Sequence, residues 1–303
     1  MSQLTDHHNS VPLLDMIRWG EQYLEQAGLT YGHGTDNPFD EAAWIVLHAV
    51  GISPDVIEVD YARVLTESEI AAAKKYLLER VETRLPTAYL THQAWFAGLE
   101  FYVDPRVLVP RSPLAELILD AFSSVTDPQG ITRILDMCTG SGCIAIACAY
   151  VFAEADVDAV DLSADALDVA KINVKKHQVE GQVNLIKSDV FDQVPRQHYD
   201  LILSNPPYVD ASEMQALADE YRHEPSLGLA AGEDGLEIVV KILRQACDYL
   251  SEEGLLIVEV GNSAEALEAR FPNIPFQWFE FQSGGEGVFM LTAEDLRKHA
   301  AQI

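Results

Sequence analysis

The spacing of hydrophobic and polar positions changes near residue 94. Before that point, apolar residues recur every three or four positions, which predicts helices. Three helices are predicted, one around Leu13, Leu14, Ile17, Tyr23 and Leu24 and the others over residues 39–50 and 66–83. The third begins with a capping box, in which Thr66 and Glu69 can satisfy each other's free backbone N–H groups.

Residues 94–109 consist of short alternating runs and predict a β-hairpin that joins two domains. The runs cover residues 95–97, 101–103 and 107–109. Pro110 and Pro113 then mark the entry to a helix that runs through residues 117–122.

From residue 131 onward, apolar runs alternate with helical segments, which predicts a parallel sheet with helices on both faces. The candidate strands cover residues 133–136, 157–161, 183–187, 201–204 and 255–260. Two last apolar segments, 276–281 and 287–291, are too close for a right-handed crossover, so they should pair antiparallel. A mostly parallel, Rossmann-like sheet that ends in an antiparallel hairpin is the layout of class I methyltransferases.

The composition indicates a globular protein, because 48% of the 303 residues are apolar. The first ten residues are polar and lack a signal-peptide pattern, and the apolar runs are too short to span a membrane. We therefore expect a cytoplasmic protein that does not bind membranes. None of the four cysteines, Cys138, Cys143, Cys148 and Cys247, forms a CxxC pair, so we expect reduced thiols and no metal site.

The charge is strongly acidic, since 20 basic residues stand against 48 acidic ones and give a net charge of −28. Such a surface repels the phosphates of nucleic acids and attracts basic partners. Solubility, or adaptation to a salty cytoplasm, accounts for the same acidity. The charge therefore argues more strongly against a nucleic-acid substrate than for any protein partner.

A small-residue loop follows the first predicted strand, where open α/β sheets usually bind their ligands. Gly140 and Gly142 allow close approach to the backbone, and Cys138 borders them. NAD is one candidate ligand, but the loop is too short for GxGxxG and Ile144 stands where the third small residue would be. S-adenosylmethionine fits better, with its carboxylate at the following helix N-terminus and its ammonium group on Asp136.

Acidic residues follow the next two predicted strands. Asp161 lies 25 residues after Asp136, and this spacing is typical of an acid that accepts hydrogen bonds from ribose hydroxyls. Ser163 is available to cap the following helix, which leaves Asp161 free for that role. Asp189 is predicted to meet the adenine amino group, whereas Asp192 is equally well a plain loop residue.

The motif Asn205-Pro206-Pro207-Tyr208 follows the fourth predicted strand and would lie beside the cofactor. The side-chain oxygen of Asn205 and the carbonyl oxygen of Pro206 can accept both hydrogens of a planar NH₂ group, and Tyr208 can stack on it. Holding both hydrogens directs the nitrogen lone pair at the sulfonium methyl, so alignment and electrostatics suffice without a strong base. A rigid turn is the alternative reading of these four residues.

This motif after the fourth strand is shared by adenine-N6 DNA methyltransferases, some RNA amino methyltransferases and glutamine-N5 protein methyltransferases. The chain resembles the last family over nearly its full length, through residues 98–103 (GLEFYV), 107–111 (VLVPR), 223–225 (HEP) and 229–236 (LAAGEDGL). The resemblance implies a helical substrate-recognition domain over residues 1–93, a hairpin linker over 94–112 and a cofactor-binding methyltransferase domain over 113–303.

Within the family, the chain is most similar to the branch that methylates a glutamine of the third protein of the large ribosomal subunit. The similar segments are residues 31–38 (YGHGTDNP), 137–145 (MCTGSGCIA) and 260–263 (VGNS). The release-factor branch typically has glycine in place of Cys138 and an acid four positions after Arg111, where this chain has Ala115. We assign no role to Glu116, which comes one residue later. The resemblance implies a basic ribosomal protein as partner and Phe101 as an aromatic wall facing the glutamine amide, although a hairpin core residue would look the same.

Three alternative functions stay open at the level of sequence: a release-factor glutamine methyltransferase, an amino methyltransferase acting on nucleic acid, and a module that binds the cofactor and ribosomal proteins without modifying them. A nucleic-acid enzyme predicts tight, salt-sensitive RNA or DNA binding. A pure binding module predicts that loss of Asn205 is tolerated.

Overall fold

The structure is a computed structural model that describes residues 10–53, 58–282 and 284–303. The chain forms two compact units. The helical unit comprises the described residues up to His92 together with Ala218–His223, and the sheet unit comprises Gln93–Leu217 and Glu224–Ile303. The first boundary predicted from the sequence lies one residue later, and residues 218–223 were expected in the other domain.

The helical unit contains the three predicted helices and a fourth, short one. Its elements are β1 (Val11–Pro12), α1 (Leu13–Gln26), α2 (Pro38–Ala49), β2 (Val64–Leu65), α3 (Glu67–Thr83), α4 (Thr87–Thr91) and a 3₁₀ helix over Asp219–His223. Leu13, Ile17 and Leu24 are fully buried on one face of α1, as the helical spacing predicts. The capping box is confirmed, because the Thr66 hydroxyl accepts from the Glu69 N–H and the Glu69 carboxylate accepts from the Thr66 N–H.

A buried ion cluster explains why residues 218–223 belong to the helical unit. Arg80 is 1% exposed, and its Nε donates to the Glu41 carboxylate at 2.6 Å. Glu220 is fully buried and accepts from Arg84 at 2.8 Å and from the Thr30 N–H at 3.0 Å. A buried carboxylate is stable only when it is paired, so these contacts fix the 218–223 segment within this unit.

The sheet unit is built on seven strands in the order β10-β11-β9-β8-β5-β6-β7. Its elements are β3 (Ala94–Phe96), β4 (Leu99–Phe101), α5 (Leu114–Leu119), β5 (Arg133–Met137), α6 (Cys143–Val151), β6 (Asp156–Asp161), α7 (Ala164–Lys176), β7 (Val183–Lys187), β8 (Tyr199–Ser204), α8 (Ala211–Ala216), α9 (Glu237–Ala246), β9 (Leu250–Glu259), α10 (Ala264–Arg270), β10 (Gln277–Trp278), β11 (Val288–Thr292) and α11 (Ala293–His299). Short 3₁₀ helices cover Pro128–Gly130, Ser226–Gly228, Gly261–Ser263 and Ala300–Gln302.

The five strands β7, β6, β5, β8 and β9 are parallel, and β11 and β10 add to the β9 edge in antiparallel pairing, so the predicted sheet and terminal hairpin are confirmed. Successive side chains enter opposite hydrophobic cores, with Ile134 and Leu201 in one and Leu135 and Ile202 in the other. From β5 the chain builds β6 and β7 on one side, then returns to build β8 and β9 on the other. This reversal opens a crevice beyond the carboxyl ends of β5 and β8.

Several predicted elements have other bounds in the structure, and three of them differ in kind or extent. The hairpin ends at Phe101, and residues 107–109 lie outside any strand. The helix predicted through residues 117–122 spans Leu114–Leu119 instead, because Ala121 and Phe122 take left-handed φ angles of 52° and 54° that a helix excludes. The strand predicted over residues 276–281 is only the two-residue β10.

Within the part of the chain that the structure describes, no helix is long and apolar enough to cross a membrane. Its histidine, cysteine, aspartate and glutamate side chains form no group of three or more that could hold a metal ion. All four cysteines are free. Burial of Cys143 raises the pKa of its thiol to about 12, which keeps this thiol neutral and unreactive at ordinary pH.

Candidate active site

A cleft lies in the sheet unit beyond the carboxyl ends of β5, β6 and β8, where the strand order reverses. The loops that follow four parallel strands line it, through Cys138, Thr139, Gly140, Ser141, Asp161, Leu162, Ser163, Ser188, Asp189, Val190, Asn205, Pro207 and Tyr208. The structure therefore brings most of the residues predicted for the cofactor and for the acceptor to one cavity.

The loop after β5 contains three residues with left-handed backbone. Cys138, Gly140 and Gly142 have φ angles of 63°, 54° and 82°. Gly142 faces α7 rather than the cleft, because a Cβ there would lie 3.3 Å from the Cβ of Ala170. Gly140 faces open space, since a Cβ there would meet no atom within 4 Å. Glycine at 142 thus serves close packing of the loop, and glycine at 140 keeps the cleft side of the loop clear.

Asp136 lies beneath this loop and is not among the residues that line the cleft. It is fully buried, and its Oδ2 accepts from the Thr139 hydroxyl and from the Ala145 N–H at 3.1 Å. Its other oxygen, Oδ1, has no hydrogen-bond partner among the described residues. Burial raises the pKa of this carboxyl to about 7. The contacts of Asp136 support the loop, and its contact with a ligand ammonium group stays a prediction.

Asp161 and Asp189 both line the cleft, as predicted. Asp161 accepts from the Gly140 N–H at 2.9 Å and from the Ser163 N–H at 2.8 Å, so it ties the loops after β5 and β6 together. Burial raises the pKa of its carboxyl, while these backbone bonds lower it. Ser163 caps α7 by accepting from Ala166, as expected. Asp189 is half-exposed and lies 3.7 Å from the Lys241 ammonium group.

The Asn-Pro-Pro-Tyr motif directly follows β8. Asn205, Pro207 and Tyr208 line the cleft, whereas Pro206 is buried and does not. The carbonyl of Tyr208 accepts from the Ser263 hydroxyl at 2.9 Å, which fixes the end of the motif. A side-chain amide and an aromatic ring thus face the same cavity as Asp161.

Phe101, like Asp136, Gly142 and Pro206, is a predicted site residue that does not line the cleft. It is fully buried in a hydrophobic core, with its ring 4.9 Å from the ring of His177. The neighbouring residue, Tyr102, exchanges two backbone hydrogen bonds with the Asn173 side chain of α7. These contacts agree with the alternative reading of Phe101 as a hairpin core residue.

One ion pair at the cleft was not predicted from the sequence, where Arg111 and Glu224 appear only as parts of motifs. The guanidinium of Arg111 donates to both oxygens of Glu224, at 2.7 and 2.6 Å, and the Val109 N–H donates to the same carboxylate at 3.0 Å. The Glu224 side chain is fully buried. The two residues are 113 positions apart, so no local spacing could have indicated that they pair.

Comparison with known proteins assigns the chain to a family. Two family profiles match it, the PrmC N-terminal domain over residues 15–91 and the Methyltransferase small domain over residues 115–221. A ribosomal protein uL3 glutamine methyltransferase from Francisella tularensis is 45% identical over 294 residues, covering 96% of this chain and 93% of the relative. This chain belongs to that family. A second member, from Xanthomonas campestris, is 46% identical over 291 residues, covering 96% of this chain and 94% of the relative.

The uL3 glutamine methyltransferase family accounts for both halves of the chain, since one profile covers most of the helical unit and the other most of the strands around the cleft. Among solved structures, a methyltransferase from Pyrococcus furiosus is similar at 20% identity with a TM-score of 0.47, over 65% of this chain and 89% of that one. The methyltransferase fold expected from the sequence is confirmed by the family match and by the strand order.

Proposed function

We propose that this chain transfers a methyl group from S-adenosylmethionine to the N5 nitrogen of a glutamine side chain in ribosomal protein uL3. One observation carries the proposal: Asn205 and Tyr208 line the same cleft as the glycine loop and Asp161. The relatives from Francisella and Xanthomonas are named for a glutamine of uL3, which supports this choice of acceptor. We place the reaction in the cytoplasm, where ribosomal proteins are made.

The residues of the cleft fit S-adenosylmethionine. Asp161 is a half-buried carboxylate suited to ribose hydroxyls, and we assign the adenine amino group to Asp189, which lines the cleft one strand further along. Open space over Gly140 admits a ligand against the loop backbone. The Oδ1 of Asp136 has no hydrogen-bond partner among the described residues, and we assign it as the acceptor for the ammonium group from its position beneath the loop. When bound, S-adenosylmethionine supplies an electrophilic methyl group on its sulfonium.

The acceptor amide is held by the Asn-Pro-Pro-Tyr motif. An amide nitrogen is a poor nucleophile because its lone pair is delocalised into the carbonyl. The Asn205 side-chain oxygen and the Pro206 carbonyl oxygen accept the two amide hydrogens, and the Tyr208 ring stacks on the planar group. This grip turns the lone pair toward the methyl donor, and the rate gain comes from alignment and electrostatics.

The charge of the chain suits a basic substrate. The net charge of −28 attracts a cationic ribosomal protein over a distance of about 10 Å at ordinary salt. The same charge disfavours a nucleic acid as direct substrate, since phosphates would be repelled.

Replacement of Asn205 tests the proposal. The purified protein is incubated with tritium-labelled S-adenosylmethionine and uL3, and the labelled product is analysed by mass spectrometry. We expect one methyl group on a glutamine side chain. Asn205→Ala should lower kcat by about 100-fold or more, as loss of a group aligned in the transition state does, while cofactor affinity changes little.

Asn184→Ala is the matched control, because Asn184 is an exposed asparagine on β7 that bonds to Asp158 and does not line the cleft. Its turnover should equal that of the wild type. Equal turnover by Asn205→Ala and wild type would refute the acceptor role, and methylation of a release factor in preference to uL3 would refute the substrate.

A further inference from the structure

A buried carboxylate lies behind the acceptor motif and has no role in the function described above. Glu259 is the last residue of β9 and is 5% exposed. Its Oε2 accepts from the Ser112 hydroxyl at 2.5 Å, and its Oε1 accepts from the Tyr208 hydroxyl at 3.2 Å. Arg111 exerts only a weaker, longer-range attraction on it. A carboxylate is costly to bury, so its partners indicate what it does for the site.

Those partners come from two separate segments that line the cleft. Tyr208 belongs to the acceptor motif, and Ser112 lies at the end of the 106–112 segment, whose residues all line the cavity. Ser112 also accepts from the Leu114 N–H at 3.2 Å, which ties it to the start of α5. One side chain on the rigid sheet therefore sets the distance between two walls of the cleft.

Tyr208 is held at both of its ends. Its carbonyl accepts from Ser263, and its ring packs on Gly261, where a Cβ would lie 2.6 Å from the Tyr208 Cε2 atom. Gly235 also packs tightly here, since a Cβ at that position would lie 2.4 Å from the Tyr208 carbonyl oxygen. The carbonyl and one side of the ring are fixed in this way, and the bond to Glu259 holds the hydroxyl end.

We propose that Glu259 is a positioning residue of the acceptor site: by accepting hydrogen bonds from Tyr208 and Ser112, it fixes the aromatic wall on which the acceptor amide stacks. This inference rests on the proposed function for the identity of the acceptor. The hold of Glu259 on Tyr208 is a property of the fold alone and is measured separately.

Loss of the bond between Glu259 and Tyr208 should change kcat more than it changes KM. Asn205 and Pro206 still bind the acceptor amide when Glu259 is changed, so KM for uL3 should move little. A ring that is free to tilt lets the amide leave the line of methyl transfer, and such misalignment lowers kcat. Glu259 also acts electrostatically on Tyr208: burial first, and then the charge of Glu259, raise the pKa of the Tyr208 hydroxyl well above its ordinary value.

The first experiment measures kcat and KM for uL3 in Glu259→Gln and Tyr208→Phe, each of which breaks the same hydroxyl–carboxylate bond. We expect kcat to fall by about tenfold in each, the size of a lost hydrogen bond to a charged group. The double variant should be no slower than Glu259→Gln alone, because both changes remove one interaction. Glu253→Gln is the matched control, an exposed glutamate on the same strand, and should keep wild-type kcat.

The second experiment needs no substrate. Residue 208 is replaced by 3-fluorotyrosine, and its ¹⁹F resonance is followed against pH in the wild-type, Glu259→Gln and Glu253→Gln backgrounds. Removal of the neighbouring negative charge should lower the pKa of residue 208 and shift its resonance in Glu259→Gln alone. Glu259→Gln keeps the size and shape of the side chain, which favours a folded variant where Glu259→Ala fails to fold.

The outcomes separate this inference from the proposed function. Loss of kcat together with a shifted resonance in Glu259→Gln supports it. An unshifted resonance, or a Glu259→Gln variant with wild-type kcat, overturns it. If wild-type protein does not methylate uL3, the proposed function fails, while the fluorine resonance still decides whether Glu259 holds Tyr208.

Discussion

Cys138 has a backbone conformation in which residues with a Cβ are strained. Its φ angle of 63° lies in the left-handed region, where a side chain costs roughly 1–2 kcal/mol. Its thiol is a partly buried member of the core beside β5, and burial raises the pKa of the thiol far above its usual value. The residue therefore works through its backbone and its packing, and not as a nucleophile.

The strain at Cys138 predicts an inverted order of alanine and glycine variants. Cys138→Gly should have a free energy of unfolding about 1 kcal/mol above that of Cys138→Ala, because both lose the thiol and only glycine relieves the strain. At Cys148, inside α6, the order should be the ordinary one, with alanine more stable by about 1 kcal/mol. Urea denaturation of the four variants measures both differences. The same order at the two positions would contradict the assignment of strain.

At the scale of single residues, the sequence predicts the positions of strand ends well and the directions of side chains poorly. Asp161 is the last residue of β6, Asp189 comes two residues after β7 and Asn205 directly follows β8, and all three line the cleft. Asp136 is the last but one residue of β5, yet its carboxylate lies beneath the loop and accepts hydrogen bonds from Thr139 and Ala145. The position of a residue at a strand end or in a motif does not specify the direction of its side chain, because that direction depends on neighbours from distant segments.

At the scale of elements, the pair formed by Arg111 and Glu224 joins the segment before α5 to the segment after the acceptor motif. Glu224 is buried, and Arg111 is partly exposed, so the cost of breaking the pair lies mainly in the carboxylate left without a cation. The bidentate geometry also holds the guanidinium in one plane, which a lysine could not reproduce.

Removal of this pair should therefore lower the free energy of unfolding more than removal of a solvent-exposed ion pair does. Arg111→Ala should lower the free energy of unfolding by about 3 kcal/mol. It should also speed hydrogen exchange of the Val109 N–H, which donates to the same carboxylate. Lys176→Ala is the control, since both side chains of the Lys176–Glu100 pair are partly exposed, whereas Glu224 is fully buried, so this pair should contribute less than about 1 kcal/mol. Similar losses in the two variants would contradict the importance given to burial.

The order of strands and helices followed from hydrophobic spacing, because both faces of the central strands are buried and leave a clear apolar signal. Hydrophobic spacing predicts the ends of the strands and helices less well. Residues 107–109 are as apolar as a strand, but the Val109 N–H bonds to a glutamate side chain instead of a neighbouring strand. Sequence patterns record that a residue is buried and do not record what it is buried against.

At the scale of the whole molecule, two buried carboxyls tie stability to pH. Burial raises the pKa values of Asp136 and Glu259 to about 7, whereas in the unfolded chain such groups titrate near about 4. Between these values the folded protein binds more protons than the unfolded chain. The contribution of these two groups to the free energy of unfolding therefore falls as the pH rises from about 4 to about 7, and levels off above that.

Glu259→Gln removes one of these two groups and should flatten this dependence. From pH 5.5 to pH 8 the wild type should lose about 2 kcal/mol more stability than Glu259→Gln, since the glutamine does not titrate. Urea denaturation at the two pH values gives the difference. Glu253→Gln should follow the wild type, because its carboxyl is exposed. Parallel curves for Glu259→Gln and wild type would mean that Glu259 titrates in its ordinary range.

The brief return of the chain to the helical unit at residues 218–223 has a consequence for how members of this family can be recombined. Glu220 depends on Arg84 and Thr30, so an exchange of the first 92 residues between relatives separates a buried acid from its partners unless residues 218–223 are exchanged with them. This short stretch begins ten residues after Tyr208 and ends one residue before Glu224. Residues 218–223 must therefore diverge together with the first 92 residues, and a chimaera with a single junction at residue 92 would leave the helical unit with a segment that evolved beside other partners.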